Sequence, residues 1–191
     1  MRRIIIEEIP SIFACCDTEI TAADIASASR FQNERRRREH LAWRRVVRRE
    51  LGRNIRIEYN EVGAPIVDVT NTHISVAHGA GCVAVAISDK KVGIDIERFD
   101  RNYERIASRI MSGEEQQLSS EECWAAYVWA AKESLYKLYG EQGVDLIDDI
   151  HILSYDASKA IMRAQLRNDK EATVELSTHH DDAVVAVAYF E

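Results

Sequence analysis

Hydrophobic residues recur at every second position in several short runs of this chain, and at helical spacing in two longer ones. The opening Arg3-Ile4-Ile5-Ile6-Glu7 predicts a strand. Ile55-Arg56-Ile57-Glu58-Tyr59 and Ile66-Val67-Asp68-Val69 predict two more, on either side of the turn signal Gly63-Ala64-Pro65. From Ala22 to Leu51 only good or neutral helix formers occur, which predicts one helix ended by Gly52. A second helix is predicted from Cys123 to Tyr139, with Ser119 and Glu122 as a capping box and Gly140 as its C-cap. Its core stripe is Trp124, Val128, Ala131, Leu135 and Leu138.

Sliding the sequence against itself by 102 positions sets Ser75, His78 and Val83-Ala84-Val85-Ala86 on Ser177, His180 and Val185-Ala186-Val187-Ala188. Both copies read as strand, polar turn, strand, the pattern of a β-hairpin. The expected organisation is two related halves, 1–98 and 99–191. No Pro/Gly/Ser-rich linker parts them, so they are expected to pack as one unit with the active site in the cleft between them.

The chain has 191 residues, 46% apolar and 30% charged, which excludes disordered and collagen-like classes. No apolar run approaches the roughly 18 to 20 residues of a membrane span, and the N-terminus turns acidic at Glu7-Glu8, too soon for a signal peptide. A cytoplasmic protein without a membrane partner is expected. Cys15, Cys16, Cys82 and Cys123 form no CxxC pair and are expected as reduced thiols.

The net charge of −7 conceals a basic stripe: eleven arginines against three glutamates between Ser27 and Ile57. On an otherwise acidic chain this points to a localised anionic partner rather than to nucleic-acid coating. Arg44, Arg45, Arg48 and Arg49 are candidates for steering an acidic protein partner.

In Val92-Gly93-Ile94-Asp95-Ile96-Glu97, strand alternation puts Gly93, Asp95 and Glu97 on one face. The carboxylates stand roughly 6.5 to 7 Å apart along the backbone, suited to one hard cation such as Mg2+ together with substrate phosphates, and Gly93 leaves room for a ligand. Taken alone, the same hexapeptide is equally a solvated acidic face with Glu97 paired to Arg98 or Arg101. On the second helix Trp129, Glu133 and Lys137 follow each other at i, i+4 on a face apart from the core stripe, either as site residues or as a plain helical ion pair. His78, before Gly79-Ala80-Gly81, ends a strand where a phosphate could be reached, and reads equally as a locally satisfied turn histidine. His179-His180-Asp181-Asp182, and Asp145 with Asp148-Asp149, read as turns rather than metal clusters.

VGIDIE followed by Trp129-Ala130-Ala131-Lys132-Glu133-Ser134-Leu135-Tyr136-Lys137 resembles the paired signature of the 4'-phosphopantetheinyl transferase superfamily. The resemblance extends over Arg30-Phe31 and the arginine helix, Gly63-Ala64-Pro65, Ile74 to His78, Gly140 to Val144 and the closing Val184 to Ala188 strand. It looks like the larger type that activates peptide synthetases and siderophore enzymes. That type implies an α+β fold, a monomeric pseudodimer of two similar α+β halves.

The resemblance further implies Mg2+-dependent transfer of the 4'-phosphopantetheine group of coenzyme A to a serine of an apo carrier protein, releasing adenosine 3',5'-bisphosphate. Asp95, Glu97 and Glu133 would hold Mg2+. Lys137 would contact the pyrophosphate, and Glu133 would also assist serine deprotonation. His78, Arg30 and Arg35 would bind the 3'-phosphate and adenine side, Lys132 would support the coenzyme electrostatically, and Trp129 would pack near the cleft. The chain departs from the common pattern at Ala64, where many members have lysine, at Ala77, where serine is frequent, and at Met111, often aromatic, in a region expected to recognise the carrier. Two other classes remain on the residues alone. One is a different Mg2+-dependent nucleotide phosphohydrolase. The other is a non-enzymatic module binding anionic partners through the arginine helix.

Overall fold

The two most apolar strands of the chain become interior strands of two antiparallel sheets. The computed structural model describes residues 1–13 and 18–191; Cys15 and Cys16 lie outside the described residues. In chain order the elements are β1 (Arg2–Glu8), α1 (Ala22–Ala28), α2 (Glu34–Leu51), β2 (Ile57–Tyr59), β3 (Pro65–Val67), β4 (His73–Gly79), β5 (Cys82–Ser88) and β6 (Val92–Arg98). Then come α3 (Glu104–Ile110), α4 (Gly113–Gln116), α5 (Trp124–Tyr139), β7 (Ile150–Asp156), β8 (Ile161–Leu166), β9 (Lys170–His179) and β10 (Ala183–Phe190). One sheet runs β1-β5-β4, the second β6-β10-β9-β8-β7, and β2-β3 form a small hairpin around Gly63. The architecture is α+β.

Period-two alternation sorts the side chains of each central strand between two cores. Val83, Val85 and Ile87 of β5 meet Ala42, Trp43, Val46 and Val47 of α2, while Cys82, Ala84 and Ala86 face the other way. In β10, Val184, Ala186 and Ala188 join the core beneath α5, and Ala183, Val185 and Val187 point back toward the first sheet. The result is four layers: helix, sheet, sheet, helix. The middle interface is built largely of alanines with Val92, Ile94 and Ile96 of β6, so the backbones approach closely. A Cβ on Gly79 would lie 2.1 Å from the Ile96 carbonyl oxygen.

Strand β6 sits at the seam. It is hydrogen-bonded to β10 and packs along β4, where the Ser75 hydroxyl accepts the Ile94 N–H at 3.1 Å. By hydrogen bonding β6 goes with the second sheet, although it lies within the span 1–98 read as the first half. Both copies of the repeat are hairpins, β4–β5 and β9–β10. The offset of 102 superimposes the central strands but not their partners: Val83 faces His78, whereas Val185 faces Ser177 and His180 lies in the turn. The second hairpin has one more turn residue and one more strand pair before Val185, so its partner strand is displaced by three residues.

Two expectations are corrected here. The stretch 22–51 is two helices, because the Ser29 hydroxyl bonds back to the Ala26 carbonyl and the Asn33 side chain caps α2 by accepting the Arg36 N–H. Such local side-chain bonds compete with a continuing helix. Ser119 and Glu122 form no capping box; the Ser119 hydroxyl accepts the Glu121 N–H and α5 starts at Trp124. The box forms at Ser112 and Glu115 instead, opening α4. Gly140 closes α5 in the left-handed conformation, and the whole expected core stripe is buried.

Candidate active site

Helix α5 lies directly on β6, and Gly93 permits it. A Cβ there would stand 1.8 Å from the Ser134 carbonyl oxygen and 2.8 Å from the Leu138 nitrogen. The space expected for a ligand at Gly93 is thus taken by the helix backbone. Gly93→Ala is expected to cost about 1 to 3 kcal/mol of stability and to lower activity by prising the helix from the strand. A melting curve and a turnover assay on the same preparation check both.

This close approach sets Asp95 and Glu97 of β6 opposite Trp129, Glu133 and Lys137 of α5. The Lys137 ammonium donates to Asp95 Oδ1 at 2.8 Å and to the Ile94 carbonyl at 2.9 Å. Asp95 is 7% exposed, and its other oxygen, Oδ2, is buried with no hydrogen-bond partner among the described residues. Burial pushes its pKa up, the charge of Glu97 adds to this, and Lys137 only partly offsets it. Glu133 is likewise pushed up, by burial first and then by Asp95, with Glu97 contributing and Lys137 and Arg101 opposing. Glu97 accepts the Trp129 indole N–H at 2.8 Å and both of its oxygens meet Arg101 Nη1, at 2.6 and 2.5 Å. The plain ion-pair alternatives are therefore partly realised: Glu97 pairs with Arg101, and Arg98 with Asp100 and Asp182.

Among the described residues no three His, Cys, Asp or Glu side chains form a ready cation cage, since Glu97 is turned to Arg101 and Asp95 shares Lys137. The donors nonetheless suit a hard cation: they are all carboxylate oxygens, two of them are raised by burial and mutual repulsion, and one is orphaned in the interior. A cation would relieve each of these costs.

Beyond Lys137 lies His78, whose pKa is lowered by burial first, with Arg36 and Lys137 adding to this and Glu39 opposing it. His78 Nε2 is 2.7 Å from Arg36 Nη1 and 3.7 Å from Glu39. Arg35 pairs with Glu39 at 2.8 Å, and Arg30 is exposed in the link before α2. Between the β2–β3 turn, β4 and the end of α5 is a cavity of about 200 Å³ bordered by Ala64, Pro65, Ile74, Val76, Tyr136 and Lys137.

Lys132 does not belong to this site. Its side chain is 0% exposed, held by Glu115 at 2.8 Å and the Leu146 carbonyl at 2.7 Å on the far side of α5, so it cannot touch a coenzyme. The steering arginines are corrected as well. Arg44 and Arg48 are buried on Asp24, and Arg45 and Arg49 pair with Glu7, so these four knit α2 to α1 and β1. Of the acidic and histidine clusters read as turns, Asp149 holds Arg167, Asp182 pairs with Arg98, and His179 contacts the Cys82 sulfur at 3.6 Å. Sequence reasoning missed Glu115 and the Trp129 bond to Glu97, and did not single out Arg36 from the run of arginines that holds it. Only Glu115 had a visible signal, the Ser112-x-x-Glu115 pattern.

This arrangement, carboxylates on a strand facing a carboxylate and an ammonium one turn apart on a helix, can gather a cation and a polyphosphate. The 4'-phosphopantetheinyl transferase ffp of Bacillus subtilis is 27% identical over 135 residues, covering 66% of this chain and 54% of that protein. The chain thus spans about half the length of the curated relative it matches. The model of the family described as 4'-phosphopantetheinyl transferase superfamily matches residues 91–188, from the start of β6 nearly to the end of β10. With both signature segments inside that match and facing each other across the site, the chain belongs to the 4'-phosphopantetheinyl transferase superfamily.

Proposed function

We propose that this protein transfers the 4'-phosphopantetheine group of coenzyme A to a serine of an apo carrier protein and releases adenosine 3',5'-bisphosphate. It acts as a monomer of two related α+β halves, with no membrane or nucleic-acid partner. The observation that carries the reading is the orphaned, buried Asp95 Oδ2 beside Glu133 and Lys137. Asp95, Glu97 and Glu133 would hold Mg2+, which supplies charge neutralisation on the pyrophosphate when bound. Lys137 pairs with the pyrophosphate from the next helical turn. His78 and Arg36, with Arg35 and Arg30 nearby, hold the 3'-phosphate.

Glu133 takes the serine proton, and its raised proton affinity suits a general base. The serine oxygen bonds to the phosphorus carrying the pantetheine arm. The bond from that phosphorus to the bridging oxygen breaks, and the nucleotide leaves with the electron pair. Incubation with coenzyme A, Mg2+ and a panel of apo carrier proteins is expected to add the phosphopantetheine mass to a carrier serine. Absence of transfer together with absence of coenzyme A binding would overturn the reading.

A further inference from the structure

Glu97 is the one carboxylate of the site whose two oxygens are both occupied by a cation of the protein itself. Arg101 Nη1 stands 2.6 and 2.5 Å from them, and the Trp129 indole takes a further position on Oε1 at 2.8 Å. Asp95, by contrast, gives Lys137 one oxygen and leaves the other bare. We propose that Arg101 is an internal competitor for the divalent cation: its guanidinium substitutes for the metal's charge on Glu97, and Glu97 becomes a ligand only as Arg101 lets go. The proposal rests on the cation reading above.

The surroundings allow that exchange. Arg101 is not locked in place: its side chain is 51% exposed, whereas that of Glu97 is only 15% exposed. The guanidinium leans on the Tyr103 ring at 5.5 Å, and it borders an open cavity of about 720 Å³ between the 99–103 segment and the start of α5, into which it can withdraw. Asp181 borders the same cavity and offers it another acceptor. The Tyr103 hydroxyl, bonded to the Arg98 carbonyl at 2.8 Å, stays beside Glu97 and keeps the carboxylate near the site after release. The Arg101 end of the pair is half exposed, and without it Glu97 keeps the Trp129 indole N–H, so its loss shows chiefly in cation affinity rather than in stability.

The test is titration of the full-length protein with Mn2+ or Mg2+ alone, by calorimetry and by Mn2+ paramagnetic resonance, without coenzyme A. Arg101→Gln is expected to tighten cation binding about fivefold, with Arg101→Lys in between and melting temperatures alike. In a Glu97→Gln background the Arg101 substitution is expected to change nothing, as a double-mutant cycle requires when the two residues act through one pair. Unchanged or weaker cation binding by Arg101→Gln overturns the proposal while leaving the cation site standing. If neither parent nor variant binds Mn2+ and chelator leaves carrier modification unaffected, the cation reading falls and the proposal with it.

Discussion

Glu133→Gln is expected to slow carrier modification by about 10^2- to 10^4-fold and, at neutral pH, to raise the melting temperature. The two effects share a cause. Burial, then Asp95 and Glu97, push the Glu133 carboxyl above its ordinary value of 4.5, so the folded protein binds its proton more tightly than the unfolded chain does. Stability therefore falls as pH rises from the ordinary value through the raised one, and the full cost is present above that window. Glutamine carries no charge to desolvate and removes the cost, at roughly 2 to 4 °C per kcal/mol for a chain this size. Below about pH 4.5 parent and variant should converge. Melting curves from pH 4 to 8, run beside intact-mass turnover, test the pair of claims; full turnover, or a lower melting temperature at pH 8, contradicts them.

Asp24→Ala is expected to destabilise the fold by about 3 to 5 kcal/mol, because two guanidiniums would stay buried without a counter-charge. Asp24 is fully buried and accepts from Arg44 at 2.9 Å and from Arg48 at 2.5 and 2.9 Å, while Thr21 bonds its other side. Burial alone would raise this carboxyl, but the bonds from Arg48, Thr21 and Arg44 outweigh it and hold it far below the usual range. The contribution is thus in place above the ordinary value of 3.8 and is lost as pH falls below it. Out of the usual 5 to 15 kcal/mol, a loss of this size lowers the melting temperature by roughly 10 °C. Replacing Arg44 and Arg48 by Met and Leu in the same chain should recover most of it, since a packed apolar trio needs no counter-ion. Denaturant titration of the single and triple variants decides the matter.

Local periodicity made the strand face of Asp95 and Glu97 and the helix face of Trp129, Glu133 and Lys137 legible, and the structure sets those two faces against each other. Periodicity also held the answer for Lys132, which follows Val128 by four positions and precedes Leu135 by three, squarely on the core stripe. The family pattern drew it into the site instead. Arg44 and Arg48 were misread for another reason: their partner Asp24 is 20 and 24 residues away on a separate helix, and no local spacing reveals a buried pair of that range. The break at Ser29 and Asn33 was hidden because neither residue forbids a helix; each only offers a competing bond. Gly93 was singled out for the right property, its missing side chain, but what fills the gap is the main chain of α5, a long-range contact.

The alanine-rich interface between the two sheets bears on how the chain can be divided. The segment matched by the family, 91–188, begins at β6 and leaves out the sheet that covers Val92, Ile94, Ile96, Ala183, Val185 and Val187. Cut free, that segment would keep Asp95, Glu97, Glu133 and Lys137 yet expose a flat apolar face the length of two strands. Such a face is sticky in water, and it would have to find another copy of itself or precipitate. In this protein the N-terminal sheet covers that face from within the same chain, through Ala77, Cys82, Ala84 and Ala86.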